Sequence, residues 1–141
     1  MPSTVLLCID DQPHLLNLRK SSLEPFGYSV AVATDGYAAI KMLEEMPVAA
    51  VLIEYKSEAI DAETIALQIR QRFPKLPIIL LSVHHDLPER ILWLVDEYVM
   101  RSEPPEGLVQ VIERVTRPAT TGQAPKPSGS DKFLKGGQEA A

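Results

Sequence analysis

Five short apolar runs punctuate the chain, at residues 5–9, 28–33, 48–53, 77–81 and 97–100. Most are apolar at consecutive positions rather than at every second one, as strands of a parallel sheet covered on both faces must be. The longer segments between them carry helical spacing. Pro13 sits where a first-turn proline belongs, Leu15, Leu16, Leu18 and Leu23 follow, and Pro25 and Gly27 stop the run. Thr34 or Asp35 caps a second helix bearing Ala38, Ala39, Met42 and Leu43, which ends at Pro47. Asp61 caps a third with Ile65, Ile69 and Phe73 on one side and Arg70 near the negative end of its dipole. Pro88 opens a short fourth helix with Ile91, Leu92 and Leu94, and Ser102 caps a fifth with Leu108, Val111, Ile112 and Val115. The pattern is five βα units. Right-handed crossovers turn these into an α/β fold, a five-stranded parallel sheet doubly wound with helices on both faces.

Glycine and proline placement sets the domain boundary. Gly122, Gly129, Gly136 and Gly137 fall in the last 24 residues with Pro118, Pro125 and Pro127, so residues 118–141 are expected to be a disordered tail and residues 1–117 one folded domain. Lys126, Lys132 and Lys135 against Asp131 and Glu139 leave the tail at +1, so a net charge of −5 for the chain puts −6 on the body. No basic surplus is available to displace counterions from a phosphate backbone, which excludes nucleic-acid binding as the expected function. Cys8 is the only cysteine and lies inside the first apolar run, as a buried, inert thiol would. No apolar stretch approaches the roughly 18 residues of a membrane span, and Met1-Pro2-Ser3-Thr4 has no basic segment leading into a long apolar one. The expectation is a cytoplasmic protein without membrane association.

In doubly wound sheets, ligands bind outside the carboxyl ends of the strands, where strand order reverses. Those ends read Ile9-Asp10-Asp11, Ile53-Glu54, Leu81-Ser82 and Met100-Arg101. Each residue alone has a structural explanation: a helix cap for Asp10 or Asp11, a strand end for Ser82, a solvated charge for Arg101. Together they make an acidic crevice. Two unit charges about 4 Å apart repel by roughly 4 kcal/mol at an effective dielectric of 20, so Asp10, Asp11 and Glu54 require a cation. Mg²⁺ suits hard oxygen ligands and needs only one or two carboxylates with several waters; Arg101 or Lys56 would be the substitute. His84 and His85 adjoin each other without a third ligand in sight. Trp93, Tyr98 and Val99 form either core or an apolar partner face, and Phe133-Leu134 is the one apolar pair in the tail.

These residues resemble the response-regulator receiver domain of bacterial two-component signalling, over residues 4–116. Val5-Leu6-Leu7-Cys8-Ile9-Asp10-Asp11-Gln12-Pro13 looks like that family's first strand and acidic pair, the pair that holds Mg²⁺. Thr34-Asp35-Gly36, Asp61, the strand ending at Ser82, Tyr98 and Pro105-Glu106 match in register, with Ser82 at the switch hydroxyl and Tyr98 at the switch aromatic. The short fourth helix and Asp86-Leu87-Pro88-Glu89-Arg90 are most similar to small stand-alone receivers. The resemblance implies a flavodoxin-like receiver fold, with a metal site of Asp10, Asp11, Glu54 and the backbone carbonyl of Lys56.

The departures fall on the site. Glu54 stands where the family has its phosphoacceptor aspartate, Ser57-Glu58 where it has Met-Pro, Asp61-Ala62 where it has Asp-Gly, and Arg101-Ser102 where its phosphate-binding lysine and a proline belong. One extra methylene moves a carboxylate by about 1 Å, and such a misplacement costs of order a hundredfold in a transfer that depends on positioning. The leading expectation is therefore a degenerate receiver, not an enzyme, with Mg²⁺ bound weakly if at all. Its Glu54, paired to Arg101, fixes one conformation, so that the face of helix four, strand five and helix five binds a protein without phosphorylation. That partner would be a histidine kinase or a downstream effector, and the same face permits a homodimer. The alternative is a slow phosphoacceptor using Glu54 or Ser57. A small Mg²⁺-dependent phosphohydrolase is disfavoured, because its carboxylates would be adjacent rather than alternating and no cap would enclose a substrate.

Overall fold

The structure, a computed structural model, describes residues 4–55, 60–83, 86–101 and 104–117. Lys56, Ser57, Glu58, His84, His85, Ser102 and the tail from residue 118, Phe133 and Leu134 included, lie outside the described residues. The chain runs β1 (Thr4–Ile9), α1 (Pro13–Leu23), a 3₁₀ turn (Glu24–Phe26), β2 (Tyr28–Ala33), α2 (Gly36–Glu45), β3 (Ala50–Glu54), α3 (Ala62–Arg72), β4 (Ile78–Ser82), α4 (Glu89–Leu92), β5 (Glu97–Met100) and α5 (Pro105–Thr116). All neighbouring strands pair in parallel, in the order β2-β1-β3-β4-β5. The order reverses between β1 and β3, so the crevice at their carboxyl ends is the switch point of the sheet.

The consecutive apolar positions are explained by two cores. Leu7, Ile9, Val51, Ile53, Ile78 and Leu80 face α2, α3 and α4, where they meet Ala39, Leu43, Ile65, Ala66, Ile69 and Ile91. Leu6, Cys8, Ala50, Leu52, Ile79 and Leu81 point the other way, onto Leu16 and Leu23 of α1 and Leu108, Val109 and Ile112 of α5. Every residue of β3 and β4 is buried. Burying one such Leu or Ile stabilises the fold by about 1.5–3 kcal/mol, so the central strands anchor the site at their ends.

Local signals set the helix boundaries. Asp35 rather than Thr34 caps α2, accepting the Ala38 N–H at 2.8 Å. Asp61 caps α3, taking the Thr64 N–H at 3.2 Å and its hydroxyl at 2.8 Å, which holds its carboxyl below the usual range. Gly27, at φ 99°, ends the turn after α1 in a conformation that disfavours side chains. Gly36 lets α2 start close to α3, since a Cβ there would lie 3.0 Å from Ile65 Cγ1.

Three expectations need correction, and the open reading of Trp93 is decided. Pro88 precedes α4 as its N-cap, and the helix ends at Leu92, so Leu94 lies in the turn that leads into β5. The cap of α5 is Pro104 rather than Ser102: Pro105 occupies the first helical position, and a residue before proline is driven to extended backbone, here φ −66°, ψ 158°. Leu18 faces solvent at 63% exposure. Trp93 is likewise 63% exposed, whereas Val99 is buried and Tyr98 half-buried against the α3–α4 core, so only the last two are core.

Candidate functional site

Strand register brings the site together. Ile9 lies opposite Ile53, Glu54 opposite Leu81, and Ser82 opposite Met100. The strands therefore end within about one residue of one another, so the last residues of β3 and β4, Glu54 and Ser82, and the first residues past β1 and β5, Asp10 and Arg101, gather at the crevice. Asp10 is fixed there by its own N–H, bonded to the Ala33 carbonyl at 3.2 Å, and by its carboxylate, which accepts the Gln12 N–H at 3.1 Å. The Asp10 side chain thus opens the turn into α1, while Gln12 takes the N-cap position without a side-chain bond. On the far side, the Arg101 N–H donates to the Ser82 carbonyl at 2.7 Å, continuing the β4–β5 ladder one residue past the strand.

Asp10, Glu54 and Ser82 are 6%, 5% and 0% exposed. A carboxylate so enclosed has lost its hydration. Burial pushes the Glu54 carboxyl up to about 7; the positive charge of Arg101 opposes the rise, the negative charge of Asp10 adds to it, and Arg19 opposes it more weakly. Asp10 is also raised, first by burial, with the Gln12 N–H countering and Asp11 adding. Arg101 Nη1 reaches Glu54 Oε2 at 3.2 Å, from a side chain 29% exposed to one 6% exposed. The contact is a single prong rather than the two-pronged grip of which a guanidinium is capable.

The crevice thus unites Asp10, Glu54 and Arg101, with Asp11 beside Asp10 and Ser82 at the end of the adjacent strand. Tyr98 stands three residues before Arg101 on β5, packed toward α3 and α4. Among the described residues no three His, Cys, Asp or Glu side chains gather as a metal cluster. Asp10 and Asp11 nevertheless supply the adjacent hard oxygens that Mg²⁺ takes with a shell of waters. Both carboxyls, Asp10 and Glu54, are raised first by burial and further by a neighbouring acid, and a divalent cation at the crevice would favour their charged forms. Cys8 beneath them is 2% exposed with its thiol pushed up to about 12 by burial, so it is inert as a nucleophile.

Sequence reasoning missed three groups. Arg19 of α1 lines the same small cavity as Asp10 and Glu54, and its positive charge opposes the rise of the Glu54 carboxyl. Arg70 donates to the carbonyls of Pro74, Leu76 and Leu94 at 3.1–3.2 Å and to Asp96 Oδ2 at 2.7 Å, and the same oxygen accepts the Ile78 N–H at 2.8 Å. Glu97, 4% exposed, pairs with Arg114 Nη2 at 2.8 Å. Only the placement of charged residues at strand starts hinted at the last two. A groove of about 510 Å³ between α2 and α3, lined by Tyr37, Ile40, Ile60, Thr64 and Arg72 among others, holds none of these carboxylates.

A parallel five-stranded sheet of this order, with acids at the carboxyl ends of β1 and β3, defines a doubly wound α/β domain with its site at the switch point. The chain belongs to the response regulator receiver domain family, which it matches over residues 6–113. It is 30% identical over 86 residues to the transcriptional regulatory protein GlrR of Escherichia coli (strain K12), covering 61% of this chain and 19% of that protein. It is 29% identical over 129 residues to the sensor histidine kinase GacS of Pseudomonas protegens, covering 86% of this chain and 14% of that protein. The chain thus spans less than a fifth of each of these relatives. Among solved structures it is similar to the response regulator TrrA of Thermotoga maritima in complex with Mg²⁺–BeF, with TM-score 0.71 and 27% identity over 79% of this chain and 98% of that one. The receiver domain of the histidine kinase PA1611 of Pseudomonas aeruginosa shares the fold, with TM-score 0.73 and 21% identity over 82% and 98%. Among the described residues no helix is long and apolar enough to cross a membrane.

Proposed function

We propose that this chain is a receiver-type signalling module that works by binding a protein partner without being phosphorylated. The observation that carries the reading is the Glu54–Arg101 contact at 3.2 Å, a buried carboxylate held by the one cation in direct contact with it among the described residues. A phosphoacceptor must be an ionised nucleophile, free to attack in line. Glu54 fails on three counts: its carboxyl is raised to about 7, its oxygen is engaged, and it carries one methylene more than aspartate. Arg101 in turn occupies Glu54 where a lysine ammonium would meet a phosphoryl oxygen.

Glu54 and Arg101 hold together β3 and the end of β5, and β5 lies between α4 and α5. A fixed pair at that point holds the α4–β5–α5 face in one arrangement, and a histidine kinase or downstream effector is the proposed partner for it. Trp93, 63% exposed, gives that face an apolar anchor of the kind that dominates interfaces. Mg²⁺, the ion of the TrrA complex, would be held by Asp10 and Asp11 with the Lys56 carbonyl, and would supply charge neutralisation to the crevice. Asp10 and Asp11 would orient it, while Arg101 retains Glu54.

Intact-mass measurement after incubation with acetyl phosphate and Mg²⁺ tests the reading. The wild-type chain is expected to gain no phosphoryl group and Glu54→Asp to gain one in only a fraction of molecules, since Arg101 still replaces the lysine and a planar fork is not equivalent to an ammonium. A phosphoryl group on wild-type Glu54 or Ser57 would favour the slow-phosphoacceptor reading instead.

A further inference from the structure

Directly beneath the crevice lies a cavity of about 10 Å³. Asp10, Glu54 and Arg19 of α1 contribute to its lining, among apolar neighbours that include Leu15, Leu16 and Leu52. Its volume is that of one water molecule, and such a void fills when two to four polar partners face it and stays dry when its walls are apolar. Here two acidic residues and an arginine are among the lining. Arg19 is half-buried and makes no direct ion pair among the described residues, yet its charge acts on both Glu54 and Cys8.

We propose that this cavity is a one-water site through which Arg19 is tied to Glu54 and Asp10, making Arg19 a positioning residue of the crevice. The guanidinium donates to the water oxygen, and the water donates its two hydrogens to the two carboxylates, so each group is satisfied. Glu54 then meets positive charge both from the end of β5, through Arg101, and from α1, through Arg19. A second consequence is mechanical: α1, which also packs beside α5, is linked to the same carboxylate as β5. The inference rests on the reading of Glu54 as the pinned carboxylate of the site.

A double-mutant cycle of Arg19→Met and Glu54→Gln, read by urea denaturation at pH 8, tests it. The cost of Arg19→Met is expected to shrink in the Glu54→Gln background, by roughly three- to tenfold in the unfolding equilibrium constant, and Arg19→Lys to restore part of it. Additive effects would overturn the inference. The same cycle with Arg101→Met separates the two readings: additivity for Arg101 overturns the proposed function, whereas additivity for Arg19 alone overturns only the water site. Should Arg19→Met fail to fold, the Arg19 Nε–H resonance of the folded wild type and Glu54→Gln decides. A clear shift between them supports the link, and an unmoved resonance overturns it.

Discussion

Replacing Glu54 with glutamine keeps the shape of the side chain and removes its titration. In the folded protein the Glu54 carboxyl is pushed up to about 7 by burial, from an ordinary value of 4.5. Between those two pH values the native state holds a proton that the unfolded chain has released. The Glu54 contribution to stability is therefore complete below pH 4.5 and is lost as pH rises through about 7. The slope is about 1.4 kcal/mol per pH unit and the whole loss about 3 kcal/mol. With the residue 5% exposed, solvent screening takes little from that figure. Glu54→Gln does not pay this cost and still offers Arg101 a neutral oxygen, at about half the strength of a charged one. Urea denaturation of both proteins at pH 5, 6, 7 and 8 gives the difference curve. Relative to Glu54→Gln, wild type is expected to lose stability steadily from pH 5 to about pH 7 and to level off by pH 8. Parallel curves would refute the reasoning, because Glu54 would then ionise as an exposed carboxylate does.

Further outcomes follow from the rest of the structure. Arg70→Met strips three carbonyls and Asp96 of their shared donor and is expected to destabilise the domain by about 2–4 kcal/mol in the same denaturation assay, with no change in Mg²⁺ affinity. Cys8, buried with its thiol raised to about 12, is expected to resist a thiol reagent at pH 8 until the protein is unfolded; stoichiometric labelling of the native protein contradicts its placement. Removal of residues 118–141, argued from their Gly, Pro and Ser content, is expected to leave the thermal midpoint within about 2 °C, whereas a fall of several degrees means the tail packs on the domain.

The parts of this structure that were legible in the sequence are those set by local chemistry. Strands buried on both faces must be apolar at every position, so residues 50–53 and 78–81 announce themselves; their starts were blurred because Val48 and Pro77 are compatible with either a strand or the turn before it. Asp35 and Asp61 were legible as caps because a short carboxylate before a helix has few other uses. Ser102 misled for the same reason, since the Pro104-Pro105 pair sets its own backbone angles and starts the helix without a side-chain cap. The Glu54–Arg101 contact could be expected because topology alone places both strand ends on one crevice. Arg70 could not: its partner Asp96 lies 26 residues away and the carbonyls it gathers belong to two turns that only tertiary packing brings together. Arg19 was hidden among the leucines of α1, whose weak amphipathic contrast gives no sign that one of its cations points inward.

The central claim is that phosphoryl donors leave the crevice unchanged because Glu54 is already held by Arg101. Amide NMR spectra of the wild-type protein, recorded in turn alone, with Mg²⁺, and with Mg²⁺ and acetyl phosphate, test it most directly. The account predicts shifts near Asp10 and Asp11 on adding Mg²⁺ and no further change at Glu54, Ser82, Tyr98 or along α4, β5 and α5 on adding acetyl phosphate. A second set of resonances along that face, appearing only with the phosphoryl donor, would contradict it.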